Sequence, residues 1–217
     1  MFFYTISVDV RRILLVSLAF LLLGIQPVAA ANAHLLVCFG DSITAGYGLS
    51  GSQAYSDFLQ HDLDAAGYHY QVLNRGTSGA TSKDAVTDLP TILASHPSVV
   101  IVEFGGNDGL RGLPLEQTRR NLDQVLTALE TAHIRVLLAG ITLPPNYGPD
   151  YIRSFQQLFR ALAAAHPHAA FVPMIYKDLV QVSGTIQPDG IHPTAKGSAI
   201  IARTLLPALK PLLVKGQ

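Results

Sequence analysis

Short apolar runs alternate along the chain with segments of helical periodicity. The runs cover residues 35–39, 70–73, 98–104, 135–141 and 169–173, and each one predicts a buried strand. Between them apolar residues recur at i, i+3, i+4 and i+7, for example at Leu122, Val125, Leu126 and Leu129. The last helix is predicted over residues 194–213, with Pro207 and Pro211 bending or fraying its end. This alternation predicts an α/β fold, a three-layer α/β/α sandwich with a five-stranded parallel sheet.

The N-terminal segment has a different pattern. Arg11 and Arg12 precede an apolar stretch over residues 13–25, and small residues at 28–33 offer a cleavage site. This arrangement predicts a secretory signal peptide over residues 1–31, followed by one domain over residues 32–217. An uncleaved anchor is the alternative, although the stretch is short for a membrane span. The Sec and twin-arginine routes both stay open. We expect a periplasmic or secreted bacterial protein without stable membrane insertion after cleavage.

Composition narrows the possible partners. The chain has 217 residues, of which 49% are hydrophobic and 14% charged, so it is expected to fold around a sizeable core. Lys plus Arg and Asp plus Glu both number 15, so no basic surface field for a nucleic acid is expected. The one cysteine, Cys38, lies in the first predicted strand and is expected to be a small buried hydrophobe.

Residues suited to nucleophilic catalysis follow the predicted strands. Ser42 follows the first strand, Gly79 the second and Asn107 the third, while Asp189 and His192 lie in the last loop before the final helix. The carboxyl ends of parallel strands meet at one edge of a sheet, where open α/β folds bind their ligands. A serine at that edge needs a base, a group that orients the base, and donors for an oxyanion. The sequence contains candidates for each of these parts.

A purely structural interpretation of the same residues is also open. Asp41 and Ser42 are ordinary turn and N-cap residues after a strand. Asp189 can cap the final helix, and His192 can be a surface histidine. A two-metal phosphoesterase is a further alternative, since Asp41 and Asn107 follow strands, but the histidine motifs that would complete its ligand set are missing from the sequence. No metal and no cofactor are expected.

Other titratable side chains are expected to be structural. Asp41 is expected to brace its loop or the helix that follows. Asp108 and Arg111 are expected to form an ion pair or loop hydrogen bonds. His166 and His168 flank a proline in a polar loop, and we expect them to be solvated, because two lone ligands make no metal site.

Four sequence blocks resemble those of the SGNH, or GDSL-type, hydrolases. They are FGDSITAGYGL, the loop glycine Gly79, GGNDGLRG and DGIHP, in that order. GGNDGLRG and LPPNYG more narrowly resemble the bacterial branch of acyl-CoA thioesterase I, lysophospholipase L1 and arylesterases. The resemblance implies a flavodoxin-like sheet and a triad of Ser42, Asp189 and His192. It also implies an oxyanion hole made by the Ser42 and Gly79 N–H groups and the Asn107 amide.

This resemblance implies a serine hydrolase that cleaves aryl esters, acyl thioesters and lysophospholipid-like substrates through an acyl-enzyme. We expect a monomer whose partner is a small acyl ester or thioester. The substrate groove is expected to involve loop residues near the sheet edge, namely Tyr47, Leu49, Leu110, Leu113, Pro144 and Tyr147. A carbohydrate acetylesterase of the same fold and a binding module that retains the fold are the alternatives.

Overall fold

The computed structural model of the chain describes residues 1, 2 and 34–215. In residues 34–215 the strands are β1 (His34–Gly40), β2 (Tyr70–Gly76), β3 (Val99–Glu103), β4 (Arg135–Ala139) and β5 (Ala170–Val172). The α-helices there are α1 (Ser42–Ala45), α2 (Tyr55–Ala65), α3 (Ser82–Ala94), α4 (Gly106–Leu110), α5 (Leu115–Thr131), α6 (Pro149–Ala165) and α7 (Ala195–Leu209). Short 3₁₀ helices cover Pro145–Tyr147 and Lys210–Leu212.

The strands form one parallel sheet in the order β2-β1-β3-β4-β5. This is the flavodoxin-like strand order. The chain moves from β1 to β2 in one direction and from β3 to β5 in the other, so right-handed crossovers place the helices on both faces. Helix α2 packs with α7, whereas α5 packs with both α3 and α6. The predicted three-layer sandwich is therefore confirmed.

The two central strands form the middle of the core. All five residues of β3 are buried, and so are the last five of β1. Cys38, a residue of β1, is fully buried, as predicted, and its burial raises the pKa of the thiol to about 12. The strand order reverses between β1 and β3, and such a switch point leaves a crevice at the carboxyl ends of the strands. Residues that follow β1 and β3 therefore meet there.

The structure differs from the predicted elements at several places. Strand β2 continues through Gly76, beyond the predicted residues 70–73, because its last residues pair with the end of β1. The glycine-rich segment after β3 lies outside the predicted strands and helices, yet it forms helix α4. The final helix ends at Leu209, and the predicted fraying beyond Pro207 takes the form of a 3₁₀ turn.

His166 is a clear correction. It was expected to be solvated, but only 6% of its surface is exposed. Its two ring nitrogens contact carboxylates of Glu130 and Asp123 on helix α5. The expectation was wrong because it considered only the local polar loop, and these carboxylates are far away in sequence.

The N-terminal prediction concerns a different part of the chain. Apart from Met1 and Phe2, the predicted signal peptide over residues 1–31 lies outside the described residues, and it stays a prediction. Among the residues that the structure describes, no helix is both long enough and apolar enough to cross a membrane.

Candidate active site

Ser42 begins the short helix α1 directly after β1. The chain turns sharply there, since a Cβ on Gly40 would lie 2.6 Å from the Glu103 carbonyl and would also overlap the Thr44 hydroxyl. Only glycine allows this close approach. The Asp41 side chain caps α1 by accepting from the Ile43 N–H at 3.0 Å. The turn therefore presents the Ser42 hydroxyl at the carboxyl edge of the sheet.

The structure brings together three residues that are distant in sequence. The Ser42 Oγ lies 2.9 Å from Nε2 of His192. On the other side of the ring, Nδ1 of His192 lies 2.7 Å from Oδ2 of Asp189. The second Asp189 oxygen accepts from the Ile191 and His192 N–H groups at 2.9 and 3.0 Å. This is the hydrogen-bond chain that a serine nucleophile, its base and an orienting carboxylate require.

Contacts on several sides hold His192 in position. The Gln187 N–H donates to the His192 carbonyl at 2.8 Å, and the Gln187 side chain donates to the Tyr47 carbonyl at 2.8 Å. The Tyr47 and His192 ring centroids lie 4.5 Å apart. Behind the turn, the Tyr176 hydroxyl donates to the Ile191 carbonyl at 2.8 Å. The histidine loop is thereby tied to the loop that follows Ser42.

The three predicted oxyanion donors border the same region. Among the described residues, the N–H groups of Ser42 and Gly79 donate to no protein acceptor. Gly79 has φ +84°, a left-handed conformation that favours glycine. The Asn107 Nδ2 donates to the Ala80 carbonyl at 3.0 Å and to Asp41 Oδ2 at a longer 3.2 Å. The bond to Asp41 is therefore the longer of the two bonds that the Asn107 amide donates.

A cavity of about 230 Å³ opens beside Ser42, Asn107 and His192. Most of its remaining lining is apolar, and the apolar side chains include Ile43, Leu110, Ile141, Leu143, Pro144, Pro145, Leu179, Val180, Ile186 and Ile191. Of the predicted groove residues, Leu110 and Pro144 line this cavity. Four others lie outside its lining, namely Tyr47, Leu49, Leu113 and Tyr147. A concave, mostly apolar cavity with a few polar groups is typical of a small-molecule binding site.

Sequence reasoning missed one wall of the cavity. Residues 173–192 contain no regular helix or strand in the structure, and they supply Tyr176, Leu179, Val180, Ile186 and Ile191. A signal was available, because these residues place several apolar side chains just before the predicted DGIHP loop. They follow neither helical nor strand periodicity, so no element was assigned to them.

The pKa values of two carboxyl groups at the site are shifted in opposite directions. Partial burial raises the pKa of Asp189, but hydrogen bonds from His192 and two backbone N–H groups outweigh this and hold the pKa below its usual value. Burial raises the pKa of Asp41 to about 6.

In residues 1, 2 and 34–215, no three His, Cys, Asp or Glu side chains are arranged to hold a metal ion.

Asp108 and Arg111 form loop hydrogen bonds at the edge of the site, as one of the two expected arrangements. Asp108 accepts from the Ser82 N–H at 2.8 Å and from the Thr118 hydroxyl at 3.1 Å. Arg111 donates to the Gly79 carbonyl at 2.8 Å. Both side chains therefore brace the segments that carry Asn107 and Gly79.

The sequence matches a known protein family and is similar to several named proteins. Residues 38–200 match the profile of the GDSL-like Lipase/Acylhydrolase family. Esterase TesA of Pseudomonas aeruginosa is 41% identical over 203 residues, which are 93% of this chain and 100% of that protein. The thioesterase 1/protease 1/lysophospholipase L1 of Escherichia coli is 36% identical over 197 residues, 90% of this chain and 93% of that one.

A solved structure is similar over the same region. It is the psychrotrophic esterase EstA from Pseudoalteromonas sp., inhibited by monoethylphosphonate. The TM-score is 0.76 at 29% identity, with 82% of this chain and 97% of that chain covered. These relatives carry the names of esterases and thioesterases, and the family match over residues 38–200 spans Ser42, Asn107 and His192.

Proposed function

The chain belongs to the GDSL-like lipase/acylhydrolase family and is a carboxylic ester hydrolase, and from this premise we propose that it works through a Ser42–His192–Asp189 triad. The observation that carries the proposal is the 2.9 Å contact between Ser42 Oγ and His192 Nε2 beside an apolar cavity. The family match and the names of the relatives support the reaction class.

Acylation begins when Ser42 Oγ attacks the substrate carbonyl carbon and His192 Nε2 takes the hydroxyl proton. Asp189 keeps the Nδ1 proton in place and stabilises the imidazolium that forms. The charged oxygen of the tetrahedral intermediate receives hydrogen bonds from the Ser42 and Gly79 N–H groups and the Asn107 amide. The carbonyl then re-forms, and the leaving alcohol or thiol departs with the proton from His192.

Deacylation repeats these steps with water. His192 takes a proton from a water molecule, and the resulting oxygen nucleophile attacks the acyl-enzyme carbonyl. The same donors stabilise the second tetrahedral intermediate. Ser42 leaves with the proton from His192, and the carboxylic acid is released. All atoms and protons are accounted for without a cofactor.

The apolar cavity supports medium-length acyl chains as substrates. Each methylene buried in it contributes roughly 0.8 kcal/mol, close to fourfold in affinity. We therefore propose that aryl esters, acyl thioesters and lysophospholipid-like esters all react, because the oxyanion donors contact only the carbonyl. Activity is expected to climb from acetate to medium chains and then to level off when the chain outgrows the cavity.

The test is a hydrolysis panel on purified protein, from p-nitrophenyl acetate to palmitate, with an acyl thioester added. The Ser42→Ala variant must lose activity while keeping its thermal unfolding curve, and a fluorophosphonate must label the wild type on Ser42. Retained turnover in Ser42→Ala would remove the proposed nucleophile. Activity on acetylated sugars alone would favour the carbohydrate acetylesterase, and a chelator-sensitive, metal-restored activity would favour the phosphoesterase.

We also propose that residues 1–31 direct export and that the mature protein is periplasmic or secreted. The proposal rests on the paired arginines, the apolar stretch and the small residues that follow it. N-terminal sequencing of exported protein is expected to begin between Ala30 and His34. Exported protein that still starts at Met1 would show an uncleaved anchor.

A further inference from the structure

Two carboxyl side chains lie buried at the turn that carries Ser42. Asp41 follows β1 and Glu103 is the last residue of β3, and each is 1% exposed. The Asp41 N–H donates to the Glu103 carbonyl at 3.2 Å, so the two residues face each other across the switch point. Among the described residues, neither carboxyl forms a salt bridge with a lysine or arginine. Such a pair of acids is costly to keep doubly charged.

Asp41 contacts two parts of the proposed machinery. One oxygen accepts from the Ile43 N–H at 3.0 Å and so holds the helix that begins with Ser42. The other accepts from the Asn107 amide at 3.2 Å. A Cβ on Gly106 would lie 3.1 Å from this second oxygen, so the carboxylate lies directly against the start of α4. Asp41 is therefore placed to set the direction of the Asn107 amide.

Glu103 has much poorer support as a charged group. Its Oε2 accepts from the Thr44 hydroxyl at 2.8 Å, while its Oε1 is buried and has no hydrogen-bond partner among the described residues. The Thr44 hydroxyl shares a further hydrogen bond with Tyr55. Burial, and then the negative charge of Asp41, raise the pKa of Glu103 well above its usual value. The neutral acid fits this environment better than the carboxylate.

We propose that Asp41 and Glu103 together carry one proton, which is bound to Glu103. Neutral Glu103 is a positioning residue that leaves only one negative charge, that of Asp41, next to the oxyanion site. The inference rests on the proposed function. A second carboxylate in this dry environment would oppose the negative charge that develops on the substrate oxygen. Activity is therefore expected to fall when Glu103 ionises at alkaline pH.

Other titratable groups facing the pair do not supply this effect. Cys38 on β1, Tyr55 on α2 and Tyr176 on the irregular segment are buried, and burial raises the pKa of the thiol to about 12 and those of both phenols well above their usual values. They add no charge. His192 acts on the Asp41 carboxyl from the other side and lowers its pKa when protonated. We therefore assign the alkaline limb of the profile to Glu103.

The main test is the pH profile of kcat for Glu103→Gln, in which the amide imitates the neutral acid. We expect the variant to keep most of the wild-type kcat at neutral pH and to move the alkaline limb up by at least about one pH unit. Glu103→Ala, which removes the side chain, is expected to lose about tenfold in kcat, less than the ~10²–10³ that follows loss of an oxyanion donor. Equal losses in both variants would overturn the inference.

Glu130→Gln is the matched control. Glu130 also has a buried oxygen without a hydrogen-bond partner, but it lies on α5, outside the cavity lining. The alkaline limb of the kcat–pH profile of Glu130→Gln must coincide with that of the wild type. An unchanged limb in Glu103→Gln, with Ser42→Ala inactive, would overturn the inference and leave the proposed function standing. Active Ser42→Ala would instead overturn the proposed function itself.

A measurement on the wild type keeps the inference testable if a variant does not fold. The infrared spectrum in D₂O at neutral pH must contain the C=O band of a protonated carboxylic acid, and its absence would overturn the inference. The band must persist in Glu130→Gln and disappear in a folded Glu103→Gln. Thermal unfolding gives a second readout, since a raised folded-state pKa lowers stability as pH rises above about 4.3. The gain in Tm from Glu103→Gln must therefore grow with pH.

Discussion

His166 and His192 both contact carboxylates, yet only His192 keeps its Nε2 for a hydroxyl group. His192 contacts Asp189 through Nδ1 and the Ser42 hydroxyl through Nε2. Because the Asp189 contact keeps a proton on Nδ1, the neutral ring presents a lone pair at Nε2. The lone pair points at the proton that a base would remove.

His166 has carboxylates on both sides of its ring. Nδ1 lies 2.8 Å from Glu130 and Nε2 lies 3.0 Å from Asp123. A carboxylate only accepts hydrogen bonds, so both contacts are satisfied only when both nitrogens carry protons. Burial lowers the pKa of His166, but the hydrogen bonds to the two carboxylates outweigh this and raise it. The two contacts favour the cationic form of His166, and they join α5 to the end of α6.

The difference between these two regions shows that a histidine–carboxylate contact does not itself make a base. What decides the role is the partner of the second nitrogen. A hydroxyl beside a cavity gives the ring a proton to remove. A second carboxylate instead favours a proton on the second nitrogen, so that no lone pair is free to act as a base. Four measurements test this contrast.

Removing each ring gives the largest contrast. His192→Ala is expected to lower kcat by roughly 10⁶, because a triad acts as a unit. His166→Ala is expected to keep a kcat close to that of the wild type and to lower Tm. Steady-state kinetics on a p-nitrophenyl ester and thermal unfolding check both variants. A comparable loss of kcat in the two variants would contradict the assigned difference.

Replacing a carboxylate partner of each histidine by an amide should affect kcat at His192 but not at His166. Asp189→Asn leaves a similar shape but no longer holds the Nδ1 proton, and we expect kcat to fall by about 10⁴. Asp123→Asn is the control, since it changes a carboxylate of His166 in the same way. It should leave kcat unchanged. Near-wild-type kcat in Asp189→Asn would mean that another group orients His192.

The Asn107 amide lines the same cavity as His192. Asn107→Ala is expected to lower kcat by about 10²–10³, the usual loss for one oxyanion donor, with a smaller change in KM. Asn121→Ala is a matched control, because the Asn121 amide donates to the Ser82 hydroxyl at 2.9 Å and lies outside the cavity lining. A change confined to KM in Asn107→Ala would assign this amide to substrate binding instead.

The smallest effect concerns stability. His166→Gln is expected to lower the free energy of unfolding by about 1–3 kcal/mol below pH 6, because it removes charged hydrogen bonds. The folded-state pKa of His166 is raised, so this contribution is complete below the unfolded value of about 6.5 and is lost as pH rises through the folded value. Urea unfolding at acid and alkaline pH measures the difference.

His168→Gln serves as the control for this last measurement. His168 is exposed and lies two residues from His166, so its replacement should change the free energy of unfolding by less than about 0.5 kcal/mol. A loss of unfolding free energy in His166→Gln that grew toward alkaline pH would show that the ring is held neutral. The comparison with His192 would then lose its basis.

Local patterns predicted the order of the elements well and their ends less well. Strand β2 runs on through polar residues because their backbone groups pair with β1, which outweighs their loop propensity. Helix α4 forms from a glycine-rich segment because Gly109 and Arg111 donate backbone hydrogen bonds within it and the Asp108 side chain is held by Ser82. Tertiary contacts override propensity at both places.

The candidate site was predictable to the extent that its residues follow strands. Ser42 and Asn107 come after the two strands that flank the switch point, so topology alone brings them near each other. The wall supplied by residues 173–192 was not predictable in this way. It has no periodicity, and only its packing over the sheet edge turns Leu179 and Ile186 into cavity residues.

The fold class, the strand count and the edge at which the candidate residues meet follow from local hydrophobic periods and from the handedness of crossovers. The carboxylates that face His166, and the position of Glu103 beside Asp41, depend instead on how the elements pack. Those contacts join residues that are 36 to 62 positions apart on different elements. No local pattern carries that information, since burial and pairing depend on how the elements pack.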